Sequence, residues 1–299
     1  MRQDSKALPE YGVHLRLVSF KKNGGSAAGI LKEDGIFPLT DLGYPDALAF
    51  IGAGAHALGQ AERITSKLSG KTLRPLGSVQ LLAPIPRPPK ILCVGLNYRD
   101  HALESGMEIP RVPTVFAKFS TAVTGSGLPI VIPPATRQPD YEAELAVVIG
   151  KRGECIAQKD WQDYVFGYTI LNDVSARDIQ LATSQWTLGK SLPTFAPLGP
   201  HIVTRDEVPD PHVLDIRLCI GNEILQRSNT REFIFGVPEV IEYISRFVSL
   251  EPGDIISTGT PSGVGLGRKP PRWLRPGDEV VIEIDRIGVL RNPVVAGVC

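Results

Sequence analysis

No run of this chain reaches the roughly 18 consecutive apolar residues that a membrane helix requires, so a bilayer span is not expected. Cysteine is scarce. Cys93, Cys155, Cys219 and Cys299 are widely scattered with no Cys-x-x-Cys pair, which argues against both a zinc site and a secreted disulfide framework. Reduced thiols in a cytoplasmic protein are the expectation. Neither sign of charge prevails: 32 Lys and Arg offset 32 Asp and Glu, so no global field draws the chain to nucleic acid or to an anionic membrane. Small-molecule partners are expected instead. Met1 to Gly12 has no apolar core of the signal-peptide kind, and no internal repeat is present.

What is there suffices for a sizeable core, since 42% of the 299 residues are hydrophobic. Short strands broken by turns are expected from 13 to 40, with turns at Asn23-Gly24-Gly25 and Asp34-Gly35, followed by a helical segment over Tyr44 to Ser66. Prolines crowd the stretch from Leu82 to Lys90, which favours an extended connector. A small β-rich N-terminal domain over 1–80, a linker over 81–90 and a larger domain over 91–299 are therefore expected. The larger part carries many short β-rich runs, among them Ile91 to Gly95, Glu144 to Ile149, Val165 to Asn172 and Glu279 to Ile284. Its expected helices are few: Asp160 to Tyr164, Ala176 to Ser184 and Pro238 to Phe247. Without strict strand–helix alternation, the fold class is a β-rich α+β protein, a mixed roll rather than a doubly wound sheet.

The most informative stretch is Asp140-Tyr141-Glu142-Ala143-Glu144, which opens an apolar run, Leu145 to Ile149. Side chains of a strand alternate faces, so Glu142 and Glu144 share one side. The unbroken apolar run suggests a strand covered on both faces. Two carboxylates at its entrance would be partly dry, each costing several kcal/mol unless a cation compensates. A solvated strand face is the alternative. Asp173, at the end of the apolar run Tyr168 to Leu171, is a third oxygen donor that could complete such a site, or else a helix cap. Arg177 and Gln180 follow on the expected helix, where they could meet a bound anion. His101 and Glu104 lie three apart on a short helix ended by Gly106, as a base and its orienting carboxylate would, or as an exposed ion pair. Lys190 is placed in an irregular loop, in reach of a substrate carboxylate. The glycine-rich Ser262 to Gly267 is not a nucleotide loop, because Arg268-Lys269-Pro270-Pro271 cannot form the helix such a loop must open. It reads as a wall or lid, with Thr258-Gly259-Thr260 supplying donors beside it.

Together these segments resemble the fumarylacetoacetate hydrolase family over about 91 to 298. The resemblance rests on Gly-Leu-Asn-Tyr-Arg-Asp-His with Glu104 just after, Asp-Tyr-Glu-Ala-Glu-Leu-Ala-Val-Val-Ile-Gly-Lys, Asn-Asp-Val-Ser-Ala-Arg-Asp-Ile-Gln, Gly-Lys-Ser, and Ser-Thr-Gly-Thr-Pro-Ser-Gly-Val-Gly. It implies the mixed β-sandwich roll of that family's C-terminal domain, preceded by an N-terminal extension. It further implies Mg2+ or Mn2+ (with Ca2+ as a substitute) on Glu142, Glu144 and Asp173, and a water-activating dyad of His101 and Glu104. Catalytic assistance from Lys190 and substrate contacts from Arg177, Gln180 and Thr260 follow by the same resemblance. A homodimer is implied as well. The founding fumarylacetoacetase adds a fourth acidic ligand upstream of its histidine. Gly95-Leu96-Asn97 stands there instead, as in the smaller branch where water fills that position.

Three hard oxygen ligands leave open positions for a chelating 2-oxo acid. The expected activity is hydrolytic cleavage of a carbon–carbon bond in an acylpyruvate-like 2,4-dioxo acid through a metal-stabilised enolate, with water activated by His101 and Glu104. The same enolate serves oxaloacetate decarboxylation, and keto–enol isomerisation or dehydration of a 2-oxo acid. A metal-dependent binding protein without turnover is the reading from another class.

Overall fold

The computed structural model describes residues 13–298 except 23, 34 and 67–72, so the opening segment Met1 to Gly12 and the turn residues Asn23 and Asp34 lie outside the described residues. Strands β1 (Arg16–Lys22), β2 (Gly25–Lys32) and β3 (Gly35–Pro38) form an antiparallel meander. The single helical segment expected over Tyr44 to Ser66 is two helices, α1 (Ala47–Gly52) and α2 (Gly54–Thr65). Asp46 caps the first by accepting from the Ala49 amide at 2.8 Å, and Gly52-Ala53-Gly54, poor in helix propensity at both ends, separates the two.

The rest of the chain builds two sheets. Its strands in the larger one are β4 (Ile91–Gly95), β5 (Thr114–Lys118), β6 (Ala143–Ile149), β7 (Val165–Asn172) and β8 (Ala196–Thr204). The smaller sheet takes β9 (Asp215–Ile220) and β10 (Glu223–Asn229). β11 (Ile255–Ser257) returns to the larger sheet, and β12 (Glu279–Ile284) and β13 (Gly288–Ala296) complete the smaller. The larger, twelve-stranded sheet runs β3-β2-β1-β8-β7-β6-β11-β4-β5 along its main path, beyond Arg74–Pro75 at the β3 edge. All neighbours along that path are antiparallel except β11 and β4. The five-stranded sheet runs β10-β9-β12-β13 and ends on Ile130–Ile132.

Side-chain parity on β6 explains the layering. Leu145, Val147 and Ile149 join Ile216, Leu218, Ile282 and Leu290 in the core between the sheets. Ala146 and Val148, on the opposite face, pack with Phe50, Ile51 and Leu58 of the two helices and with Leu17 and Ile30. The strand is thus covered on both sides, and the molecule is a β-rich α+β roll: helices, large sheet, small sheet. The first strands continue the large sheet through the pairing of β1 with β8. The proline-rich stretch lies on this structure: Leu81–Leu82 pair with β1, Ala83 and Ile85 are buried, and Pro84 accepts a 2.7 Å bond from Ser19.

Local expectations fail where prolines or short helices intervene. β8 contains Pro197 and Pro200 and was not expected as a strand; its pairing with β7 shifts register between Tyr168 and Ile170, the kind of irregularity that tolerates a missing donor. The helix expected over Ala176 to Ser184 ends after one turn, as α4 (Arg177–Gln180). Lys190, expected in an irregular loop, is the last residue of a second short helix, α5 (Thr187–Lys190). A third short helix, α3 (Arg99–Ser105), is ended by Gly106 at a left-handed φ of 63°, and α6 (Val237–Ser245) packs Val237, Val240, Ile241 and Ile244 into the core between the sheets.

Candidate metal centre

The β6–β7 ladder brings the three carboxylates together. Ala143 pairs with Asn172, the Asp173 amide donates to the Glu142 carbonyl at 2.9 Å, and the Glu142 amide donates to the Asn172 side chain at 3.0 Å. One oxygen each of Glu142, Glu144 and Asp173 then lie within 4.8 Å of one another, and all three residues are buried, at 5%, 2% and 0% exposure.

Their surroundings are charged and almost dry. Lys190 Nζ bridges Glu142 Oε2 at 2.6 Å and Asp173 Oδ2 at 2.7 Å. Lys118, fully buried at the end of β5, holds the other Asp173 oxygen at 2.6 Å and the Val174 carbonyl at 3.1 Å. Arg177 donates from Nη2 to Glu142 Oε1 at 2.6 Å, from Nε to Asp140 Oδ2 at 2.9 Å and from Nη1 to Gln180 at 3.0 Å. Burial pushes Glu142 up, but the charges of Arg177 and Lys190 outweigh it and hold the carboxyl well below its usual range. Lys190 is disfavoured by burial and rescued by Asp173 and Glu142, which keep it charged.

Glu144 is treated differently. It accepts from the Ser257 hydroxyl and, at 2.9 Å, from the Gly259 amide, yet no cationic side chain pairs with it among the described residues. Gly259 has a φ of 96°, and a Cβ there would meet Asn97 Cβ at 2.7 Å, so only glycine can present this amide. Burial, then repulsion from Asp173 and Glu142, pushes the Glu144 carboxyl well up. In formal charge, Asp140, Glu142, Glu144 and Asp173 face Lys118, Arg177 and Lys190, so one buried carboxylate is in excess. Converging hard oxygens with uncompensated negative charge are what Mg2+ or Mn2+ takes, so the residues present fit such an ion.

Beside the triad, His101 Nδ1 lies 3.1 Å from Glu104 Oε2, as their spacing on α3 predicts. Partial burial pushes Glu104 up, but the bonds from His101 and from the Gly263 amide, at 2.9 Å, hold it below the usual range. The dyad carboxylate is therefore ionised at neutral pH and fixes the Nδ1–H tautomer, leaving Nε2 as the basic nitrogen. When the imidazole ring is protonated, it is near enough for its charge to lower Glu142. The loop expected as a wall does hold Glu104, through Gly263.

The remaining expected residues are inside the protein network. Thr260 donates to the Ala143 carbonyl at 3.0 Å and accepts from Gln226 at 2.9 Å; Gln180 receives Arg177. Three residues of the network escaped sequence reading. Lys118 stands 55 residues from the carboxylate it meets, and Gln226 stands 83 from the Ala143 amide it caps. Asp140 had a local signal, since it opens the same motif as the glutamates.

The chain matches the model of the fumarylacetoacetate (FAA) hydrolase C-terminal family over residues 90–295. It is 47% identical over 247 residues to oxaloacetate tautomerase Fahd2a, mitochondrial, of Rattus norvegicus, covering 82% of this chain and 78% of that protein. It is 48% identical over 229 residues to oxaloacetate tautomerase YisK of Bacillus subtilis, covering 75% and 76%. A solved structure of maleylpyruvate hydrolase from Sphingobium sp. SYK-6, in complex with manganese (II) ion and pyruvate, superposes with a TM-score of 0.80 at 34% identity, covering 95% of this chain and all of that one. Hydrolases and tautomerases thus share this architecture, and the chain is a member of the fumarylacetoacetate hydrolase family.

Proposed function

We propose that this protein is a divalent-cation-dependent enzyme that interconverts the keto and enol forms of a 2-oxo acid, oxaloacetate being the substrate. The observation that carries this reading is the placement of a histidine–glutamate dyad beside a buried carboxylate triad with one negative charge in excess. The names of the two tautomerases, alike to this chain over three quarters or more of its length, favour oxaloacetate. This replaces hydrolysis as the leading reading.

Glu142, Glu144 and Asp173 would hold Mg2+ or Mn2+, which would supply Lewis acidity toward a 2-oxo acid. The protein's own residues do the proton work. His101 accepts the proton from carbon 3 at Nε2 while Glu104 holds Nδ1–H and stabilises the imidazolium. That proton is then returned to the oxygen on carbon 2, so one C–H bond is exchanged for one O–H bond and no carbon–carbon bond breaks. Lys190, the buried cation that touches both Glu142 and Asp173, would pair with an anionic oxygen of the substrate. Burial of the carboxylate triad with Lys118, Arg177 and Lys190 excludes the water that would compete for these charges.

Hydrolysis of an acylpyruvate remains the second reading, favoured by the likeness to the maleylpyruvate hydrolase structure. The deciding experiment follows oxaloacetate with Mg2+ or Mn2+ by ultraviolet absorbance of the enol while assaying pyruvate, with acylpyruvates in parallel. Accelerated enol–keto equilibration without pyruvate supports tautomerisation. Release of pyruvate from oxaloacetate faster than with the metal alone, or faster acylpyruvate cleavage, overturns it. We further infer a homodimer that covers the edge strand β5, where Val115 is exposed and Phe119 just beyond the strand is exposed too, and a reducing compartment such as the cytoplasm, in keeping with the free thiols of Cys93, Cys155 and Cys219.

A further inference from the structure

Asp140 belongs neither to the triad nor to the dyad, yet it touches the supports of both. The residue is fully buried, and its Oδ2 receives Arg177 Nε at 2.9 Å and the Leu266 amide at 3.0 Å. Its Oδ1 receives the amides of Gly265, at 2.7 Å, and Tyr141, at 2.9 Å. Four donors on one carboxylate fill its lone-pair directions, a degree of satisfaction that a buried charge requires. Two of the four come from the loop that supplies Gly263 to Glu104, and a third is the guanidinium that holds Glu142. The loop is tied at a second point as well, because the Tyr141 hydroxyl donates to the Gly263 carbonyl at 3.2 Å.

We propose that Asp140 is a positioning residue that sets both halves of the site at once: through Arg177 it orients the metal ligand Glu142, and through the Gly265 and Leu266 amides it holds the wall that fixes Glu104. The inference rests on the reading of the triad as a divalent-cation site. Two physical consequences follow. Asp140 shares the Arg177 charge, so that Arg177 orients Glu142 without neutralising it fully and the carboxylate stays available to a cation. The loop, which has only short 3-10 structure over Gly265–Gly267, takes its rigidity from a carboxylate rather than from a ladder.

Replacing Asp140 by Asn keeps the shape but removes the charge and turns one acceptor into a donor facing Arg177 or an amide. Partners that orient a metal ligand typically contribute roughly 10- to 100-fold in metal affinity, and we expect D140N to weaken Mn2+ binding by about that factor. The Gly265 and Leu266 amides should exchange with deuterium faster by about tenfold or more, since a lost charge-assisted bond is worth at least ~1.5 kcal/mol. R177K serves as the second variant. It keeps a positive charge but cannot span Asp140 and Glu142 together, so it should weaken Mn2+ binding while leaving loop exchange near that of the unmodified protein.

The measurements are Mn2+ titration calorimetry and hydrogen–deuterium exchange of the segment 263–267, both on the intact chain well below its unfolding temperature. Weakened Mn2+ binding and faster loop exchange in D140N, with weakened binding alone in R177K, support the proposal. Unchanged Mn2+ affinity in D140N or R177K, while the unmodified protein binds the ion, overturns it and leaves the metal reading standing. Unchanged loop exchange in D140N overturns it too, and failure of the unmodified protein to bind Mn2+ overturns both. If D140N does not fold, R177K decides by the same affinity criterion.

Discussion

Glu142 and Glu144, two residues apart at the head of β6, are held in opposite electrostatic states. Glu142 is gripped by Arg177 and Lys190 and stays ionised, whereas Glu144 has hydroxyl and amide donors only and is pushed toward its neutral form by burial and by its carboxylate neighbours. The ion-free protein therefore carries its strain on Glu144. We expect Glu144→Gln to leave the ion-free protein as stable as before or more so at pH 7, because the amide oxygen can accept from Ser257 and Gly259 without the charge. The same variant should lose the stabilisation by Mn2+, which for a site at 100 times its Kd amounts to about 2.7 kcal/mol. Thermal unfolding with and without the ion checks both halves; an undiminished Mn2+ shift would remove Glu144 from the ligand set.

The dyad separates the chemistries. His101→Ala should lower oxaloacetate tautomerisation by roughly 100- to 10,000-fold while Mn2+ affinity stays near its original value, because the imidazole is not a proposed ligand. Glu104→Gln should act in the same direction but less, retaining the shape and losing the charge that supports the imidazolium. Steady-state kinetics with parallel calorimetry test this, and full tautomerase activity in His101→Ala would rule out the dyad as the proton carrier.

Lys118 predicts a stability effect. It is fully buried with one Asp173 oxygen and the Val174 carbonyl as its partners, so Lys118→Met strips that oxygen of its partner and leaves Asp173 with Lys190 alone. Removing one member of a buried ion pair typically costs roughly 3–5 kcal/mol, and that loss should show in urea unfolding of the ion-free protein. Saturating Mn2+ should recover part of it. A loss below about 1 kcal/mol, the scale of an exposed pair, would contradict the buried geometry.

Acid should weaken the fold through His201, on β8 near β1. Burial, reinforced by the charge of Arg16, holds its pKa down at about 4 against an ordinary 6.5, although a bond with the Ile287 backbone pulls the other way. The native state refuses a proton that the unfolded chain accepts, so the contribution is whole above pH 6.5 and is lost as pH falls toward about 4. A shift of this size corresponds to roughly 3 kcal/mol. Urea midpoints measured between these pH values should fall steeply for the natural chain and less steeply for His201→Gln; parallel slopes would show that other groups dominate.

Assembly is tested by light scattering. A homodimer of this 32.4 kDa chain should scatter as about twice that mass at micromolar concentration. Val115→Lys, placing a charge on the exposed edge of β5, should shift it toward monomer. A monomer before any substitution would end the proposal.

The convergence of Glu142, Glu144 and Asp173 was legible because strand parity and a strand end are local facts. The turn from Arg99 to Gly106 was legible for the same reason: its spacing and its closing glycine sit within eight residues. What was not legible depends on partners far along the chain. Lys118 reads as an ordinary strand residue until β5 is seen to end beside Asp173, and Lys190 meets Glu142 across 48 residues. Arg177 and Gln180, expected to face a ligand, are bonded to each other, and Arg177 also holds Asp140 and Glu142, partners that no local spacing announces. β8 was hidden by its prolines, and the interruption between α1 and α2 was masked by a composition rich in Ala and Leu that both helices share.

The pairing of Ala143 with Asn172 has a practical corollary for anyone preparing this protein. A slip of one position along that ladder would turn both glutamates to the other face and carry Asp173 away from them. A chain zipped out of step thus lacks the converged carboxylates of the proposed cation site, however compact it looks on a sizing column. On the proposed reading of the triad, the stoichiometry of a manganese titration should count the correctly zipped molecules in a recombinant batch, before any substrate is added.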